Sequence, residues 1–338
     1  MSTNPLFFPG PIAEGHTSGH ERPFWSVMVP TYKRSEFLPQ ALESVIAQDL
    51  GSDHMQIEVV DNCSPTDDIR GVVDRVGRGR VGFFRQSVTV SMVENWNTCL
   101  QRATGHWVHL LNDDDWVRPG FYRAFEDLIQ HGQNVNVVFC RHLFTNKGGH
   151  WLSVSPLLRT EPGPLADWLP TLAAQQQIMT PAIAVKRQVY EHLGGFRTDL
   201  NFASDWEMWV RVAAAHEFWY IPEPLACYRM HDSSESLRLA RSGSNIRDTR
   251  NAILSFRPLL PPKIAGHISR VALRFYAYDA LAKARELRNR GDLKAAMAQV
   301  REGLRCSVAP KVLWSLARFA AGTLYRLVTR RVGTGKSV

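Results

Sequence analysis

The chain is short of what several protein classes require. It has five cysteines in 338 residues (Cys63, Cys99, Cys140, Cys227 and Cys306) and no Cys-x-x-Cys pair. An odd, scattered set argues against a disulfide framework and against a cysteine zinc site. The reducing cytoplasm is the expected compartment. No run of about 18 apolar residues occurs, so no transmembrane helix is expected. Residues 1–22 are polar, with Pro and Gly, and lack the basic start and apolar stretch of a signal peptide. They read as a flexible leader. Acids are absent from residues 303–338, and the whole chain carries a formal charge of +8. That balance suits nucleic acid, an anionic membrane surface or an anionic substrate, and does not choose among them. The only hint of a repeat is one helix pair at 277–304, broken at Gly291-Asp292, and one copy builds no solenoid.

What is present reads as α/β. Hydrophobic content of 44% is ample for a core. Phe24–Pro30 reads as a buried strand. Ser35 is a candidate N-cap for a helix over 35–48, and Gln56–Val60 is the next strand. Short helices at 66–76 and 92–104 flank a strand at 81–86. A strand at 106–111, a helix at about 119–131 and a strand at 135–141 follow. Such alternation predicts βαβ units, a mostly parallel sheet and ligands beyond the carboxyl ends of its strands. Three polar clusters fall there: Thr31-Tyr32-Lys33-Arg34, Asp61-Asn62 and Asp113-Asp114-Asp115. By itself the aspartate triplet has two readings. It is a solvated turn, or it holds a divalent ion whose shell phosphate oxygens complete, with Mg2+ or Mn2+ preferred by hard carboxylates.

More pieces follow in order: Asn95-Trp96-Asn97, Gly194-Gly195-Phe196, Asp205-Trp206-Glu207-Met208-Trp209 and Tyr228-Arg229-Met230-His231. With the three clusters, this ordered series resembles the family 2 glycosyltransferases, inverting enzymes of bacterial type with the GT-A fold. The resemblance covers about residues 24–240. It implies a nucleotide-sugar pocket lined by Pro30, Thr31, Tyr32, Arg34, Asp61, Asn62, Asn95 and Asp113. It implies a metal, Mg2+ or Mn2+, held by Asp114, Asp115 and His231, with Asp114 the principal ligand. Asp205 matches the proposed catalytic base, and Gly195 and Trp206 match the acceptor side. Asn112 stands where the family's first acid of LDSDD is found, and Ser204 replaces the Glu of its Glu-Asp pair. Lys33, Arg34, Arg229, Arg238 and Arg241 are either solvated charges or clamps on a diphosphate. The polar stretch 233–244 is expected to be mobile and to act as a lid.

The implied reaction moves a sugar from a nucleoside diphosphate donor, a UDP-sugar first, to a hydroxyl of a glycan or lipid-linked acceptor in cell-surface polysaccharide assembly. The alternatives are a sugar nucleotidyltransferase and a degenerate transferase serving as a binding scaffold. The expected organisation is a leader at 1–22 and a GT-A catalytic domain at 23–245, divided into a nucleotide half (23–141) and an acceptor half (142–245). A helical region follows at 246–338. In that region Val312, Leu313, Leu316, Phe319, Leu324 and Leu327 recur at helical spacing among Lys311, Arg318, Arg326, Arg330 and Arg331. Two readings of 311–331 stand level: a peripheral contact with the inner-membrane surface, or a packing helix. Nucleic acid is not expected, since no known binding module accompanies the charge. Two decoys fail. Gly77-Arg78-Gly79-Arg80-Val81-Gly82 precedes a strand where a dinucleotide loop follows one. Gly335-Lys336-Ser337 lacks the first glycine of a P-loop and ends the chain.

Overall fold

The computed structural model describes residues 22–66 and 68–333. The expected leader, apart from Arg22, and the sequence 335–337 lie outside the described residues. The chain forms two compact units. One is built from the residues up to Leu172 and from Gln176–His231, the other from Ala173–Gln175 and from Asp232 onward.

The first unit alternates as β1 (Trp25–Thr31), α1 (Leu38–Ile46), β2 (Met55–Asp61), α2 (Ile69–Gly77), β3 (Gly82–Arg85), α3 (Met92–Arg102), β4 (Trp107–Leu110), β5 (Trp116–Val117) and α4 (Phe121–His131). Then come β6 (Val137–Thr145), β7 (Trp151–Val154), β8 (Gly163–Leu165), α5 (Leu169–Ala174), β9 (Ile183–Lys186), α6 (Arg187–Leu193), α7 (Ser204–Ala213) and β10 (Phe218–Arg229). The sheet order is β3-β2-β1-β4-β9-β6-β10-β5, with β7 on β6 and β8 on β10. From β3 to β4 every pairing is parallel. β9 runs antiparallel between β4 and β6, and β10 pairs parallel with β6. Helices flank a central sheet, the α/β architecture expected.

Burial explains the central strands. All seven residues of β1 are buried, as a parallel strand covered on both faces must be. Trp25, Val27 and Val29 join Leu38, Leu42 and Val45 of α1 and Ile69 and Val73 of α2 in one core. Each large side chain so buried contributes roughly 1.5–3 kcal/mol. α3 starts on a capping box, with Ser91 accepting from Glu94 N and Glu94 accepting from Ser91 N. α1 departs from expectation: it starts behind Phe37, with no side-chain cap and with Pro39 in its first turn. Proline's fixed φ sets that start and Ser35 does not.

The second unit is helical: α8 (Glu235–Ser242), α9 (Ser244–Phe256), α10 (Pro262–Asn289), α11 (Leu293–Cys306) and α12 (Pro310–Gly333). The stretch expected to be mobile is thus mostly α8. Ser234 Oγ accepts from Leu237 N, Leu239 and Ala240 are buried, and Gly243 ends the helix at φ 74°. The Ser cap and the burial of Leu239 and Ala240 favour helix here. α10 and α11 meet on small residues: a Cβ at Gly303 would lie 2.9 Å from Ala280 Cβ. On α12, Val312 and Phe319 are buried while Leu313 and Trp314 are exposed. Among the described residues no helix is long and apolar enough to cross a membrane.

Candidate active site

The order β3-β2-β1-β4 contains a reversal. The chain steps outward from β1 to β3, then returns to the other side of β1 as β4. Such a switch point opens a crevice at the carboxyl ends of the strands. Register then decides which residues meet. Met28 is opposite Leu110, so three residues on, Thr31 comes alongside Asp113. Thr31 Oγ1 donates to Asp113 Oδ2 at 2.6 Å and Tyr32 N donates to the same oxygen at 3.3 Å. Arg34 Nη1 donates to Asp113 Oδ1 at 3.2 Å and also bonds Asp114 Oδ2. His231 Nε2 is 2.9 Å from Asp114 Oδ2.

Asp115 points elsewhere. Its Oδ1 accepts from Arg229 N at 2.9 Å and its Oδ2 from Asn112 Nδ2 at 3.4 Å. Burial, then neighbouring carboxylates, push Asp115 well above the usual range. Asp113 is raised to about 6 by burial, against the pull of Arg34. Burial and mutual repulsion therefore disfavour ionising all three carboxylates together. A divalent ion would favour the ionised forms, and carboxylate oxygen with imidazole nitrogen is a donor set that suits one. Among the described residues no three His, Cys, Asp or Glu side chains form a cage of their own. Asp114 and His231 share one spot, and the triplet's other two acids are held by other partners.

Arg229 locks this corner. Its Nε donates to Asp114 O at 2.8 Å, Nη1 to Lys147 O at 2.6 Å and Nη2 to Gln40 Oε1 at 2.5 Å. Its guanidinium lies over the rings of Phe37 (4.7 Å) and Trp116 (4.5 Å). Such contacts suit a buried guanidinium. Arg229 is thus a buried organiser, whereas Arg238 and Arg241 are exposed on α8.

Beside it, Asp61 ends β2. Register places it between Thr31 and Arg85. It is fully buried and accepts from Ser64 N and Oγ at 3.2 and 2.6 Å and from Arg85 Nε at 2.5 Å. Lys33 and Cys63, just past β1 and β2, both hold φ near 57°, a conformation uncommon for non-glycine residues and concentrated at functional loops. Asn62 exchanges two hydrogen bonds with Val90, and Asn95 Nδ2 donates to Val60 O at 3.0 Å. Asn62 therefore fixes the loop before α3, and Asn95 ties α3 to β2.

Asp205 belongs to a second group, on the first turn of α7 and inside the helix, where Ala203 is the N-cap. It is half-buried. Trp206 N donates to its Oδ1 at 2.7 Å and Gln176 Nε2 to its Oδ2 at 3.0 Å. Burial lifts its carboxyl to about 6. Trp206, expected beside the acceptor, is 1% exposed, and its indole Nε1 donates to Leu172 O at 2.7 Å. Its ring faces the core and offers no surface to a ligand. Gly195 is packed against Asn97, whose side chain holds Phe196 N and O at 2.8 Å each. Sequence reasoning missed Arg85, Gln40 and Gln176. Only Arg85 had a signal, as the neighbour of Asp61 once β2 and β3 are paired.

Residues 26–193 match the profile of Glycosyl transferase family 2. The chain belongs to this family. It is 23% identical over 280 residues to an uncharacterized glycosyltransferase of Haemophilus influenzae, covering 78% of this chain and 92% of the relative. Among solved structures, TarS 1–349 of S. aureus in complex with UDP-GlcNAc shares the fold at a TM-score of 0.58 and 14% identity, over 83% of this chain and 91% of that one. Against a longer TarS chain, the match spans 43% of its length. The mannosyltransferase PcManGT of Pyrobaculum calidifontis, in complex with GDP-Man and Mn2+, is 22% identical at a TM-score of 0.53, over 96% and 87%. The fold is GT-A-like, and the protein is a family 2 glycosyltransferase.

Proposed function

We propose that this glycosyltransferase draws its sugar from a nucleoside diphosphate donor, a UDP-sugar first, and passes it with inversion to a hydroxyl of a glycan or lipid-linked acceptor. The carrying observation is the meeting of Thr31, Arg34, Asp113, Asp114 and His231 at the switch point of the sheet. The UDP-GlcNAc and GDP-Man complexes of the two structural relatives support a nucleotide-sugar donor, and the Mn2+ of the second supports a metal.

Asp114 and His231 would hold Mg2+ or Mn2+, with Asp115 fixing the turn behind them, and the ion would neutralise the leaving diphosphate. Arg34 already lies against Asp113 and Asp114 and is placed to turn its guanidinium to a phosphate. Asp61 would meet the base. Three donors engage it, so the base reaches it as the half-exposed Arg85 swings away. Pro30 and Tyr32 would line the pocket, while Asn62 would hold the loop before α3 and Asn95 would hold α3 against β2. Asp205 would take the acceptor's proton, and a carboxyl raised to about 6 is stronger in that role than an ordinary one. Gly195 would shape the acceptor side through its close packing on Asn97.

We place the enzyme in cell-surface polysaccharide assembly, at the cytoplasmic face of the membrane. The exposed Leu313 and Trp314 beside Lys311 and Arg318 on α12 support surface attachment.

The test is a thermal-shift screen of UDP- and GDP-sugars with Mn2+. The right donor raises Tm as RT ln(1 + [L]/Kd) requires, and the stabilised sample releases nucleoside diphosphate. Pyrophosphate release from a nucleoside triphosphate and a sugar phosphate would replace this reading with a nucleotidyltransferase.

A further inference from the structure

Two ties join the start of α7 to the segment around 172–176. Trp206 Nε1 donates to Leu172 O, and Gln176 Nε2 donates to Asp205 Oδ2. Leu172 and Gln176 are four positions apart in the chain, and Asp205 and Trp206 are adjacent on α7. The indole tie therefore fixes where Gln176 stands relative to the carboxylate. Each carboxylate oxygen then accepts one N–H, from Trp206 N and from Gln176. About two of the carboxylate's roughly four lone-pair sites stay open. Asp205 is half-buried, so an open site can face an incoming hydroxyl.

We propose that Gln176 is a positioning residue for Asp205, fixing the rotamer of the carboxylate and setting its basicity. The proposal rests on the reading of Asp205 as the base. The chemistry of the side chain carries the argument. A donor to the ionised form holds an acid down, a cation holds it down further, and an apolar neighbour lets it rise. A neutral amide is the intermediate choice. Charged neighbours do not compete for this task. Glu207 and Arg211, on the same helix, bind each other, and Arg211 is also spent on Leu193 and Gly195 carbonyls. Arg197 and Asp199, ahead of α7, bind each other as well. The causes that act on Asp205 are burial, its two donors and its own backbone, with no charged group among them.

The experiment follows the Asp205 carboxyl by 13C NMR titration in wild type, Gln176→Leu and Gln176→Lys. In parallel, the pH profile of UDP release from UDP-GlcNAc and Mn2+ is recorded, with water as acceptor. The midpoint should rise by about one pH unit in Gln176→Leu and fall by about one in Gln176→Lys, and the acid limb of turnover should move with it. Gln176→Glu, the same size, should also raise it and serves if the leucine variant folds poorly. An unmoved midpoint in all variants overturns the proposal. A moved midpoint with a fixed acid limb overturns the catalytic part of it. Asp205→Asn is the control for the underlying reading: if UDP release continues undiminished there, the base assignment has failed, whatever Gln176 does to the titration.

Discussion

His231 Nε2 and Asp114 Oδ2 stand 2.9 Å apart, although 117 residues separate them in the chain. β10 makes the meeting unavoidable. It pairs with β6 up to Arg229, and Arg229 N bonds Asp115, so the residues just past it arrive over the triplet. Asp114→Asn and His231→Ala should each weaken Mn2+-dependent UDP binding, by about 10–100-fold, as loss of a metal ligand or its supporting partner does. Thermal melts without metal should change little for His231→Ala. Equal affinity in variant and wild type would remove that residue from the metal's surroundings.

Asp205 gives a pH dependence with a definite sign. Its folded-state carboxyl is raised to about 6 from an ordinary value of 3.8. The proton is therefore held more tightly in the fold than in the unfolded chain. Stability is greatest below the unfolded value and declines as pH rises through the window from about 4 to 6. With Asp205 as the proposed base, which must be ionised to act, turnover should go the other way and rise through about pH 6 to a plateau. Asp205→Asn should cut turnover by roughly 10²–10⁴-fold while raising Tm at pH 7. Kinetics and calorimetry on one pair of proteins check both halves. A variant that loses stability and keeps its rate contradicts them.

Residues 24–141 were legible in the sequence and residues 142–231 were opaque, for physical reasons. Strands buried on both faces read as apolar runs, and β1, β2 and β4 lie within two residues of their expected bounds. The polar residues after them had few places to go but the carboxyl edge of the sheet. By contrast, Trp206 sits in a pattern that suits core at least as well as sugar contact, and its burial decides for core. Arg229 looked like any basic residue, because its contacts with Phe37 and Trp116 join three distant segments. The Gln176 contact has no periodic signature at all. The helix at 235–242 was not legible because only Leu239 and Ala240 are buried in a polar sequence.

Arg229 should be intolerant of lysine. Lysine cannot bond Asp114 O, Lys147 O and Gln40 together, nor stack on two rings as a guanidinium does. Arg229→Lys should lower stability by about 2–4 kcal/mol in urea titration, with the slope m unchanged. A loss below about 0.5 kcal/mol would show that the corner does not depend on this side chain.

The proposed membrane attachment through α12 would be separable from folding, because Trp314 is 63% exposed. Trp314→Ser with Lys311→Glu should abolish co-sedimentation with vesicles containing anionic lipid while leaving UDP binding and Tm unaltered. Wild-type protein that ignores such vesicles at low salt would dismiss this surface.

The most direct measurement is calorimetric titration of UDP into wild-type protein with Mn2+, with EDTA, and into Asp114→Asn with Mn2+. Saturable binding in the first case, weakened at least about tenfold in the other two, is the predicted result. Affinity that is the same in all three, or no binding in any, would contradict a metal-assisted nucleotide-sugar site at the Asp114–His231 corner.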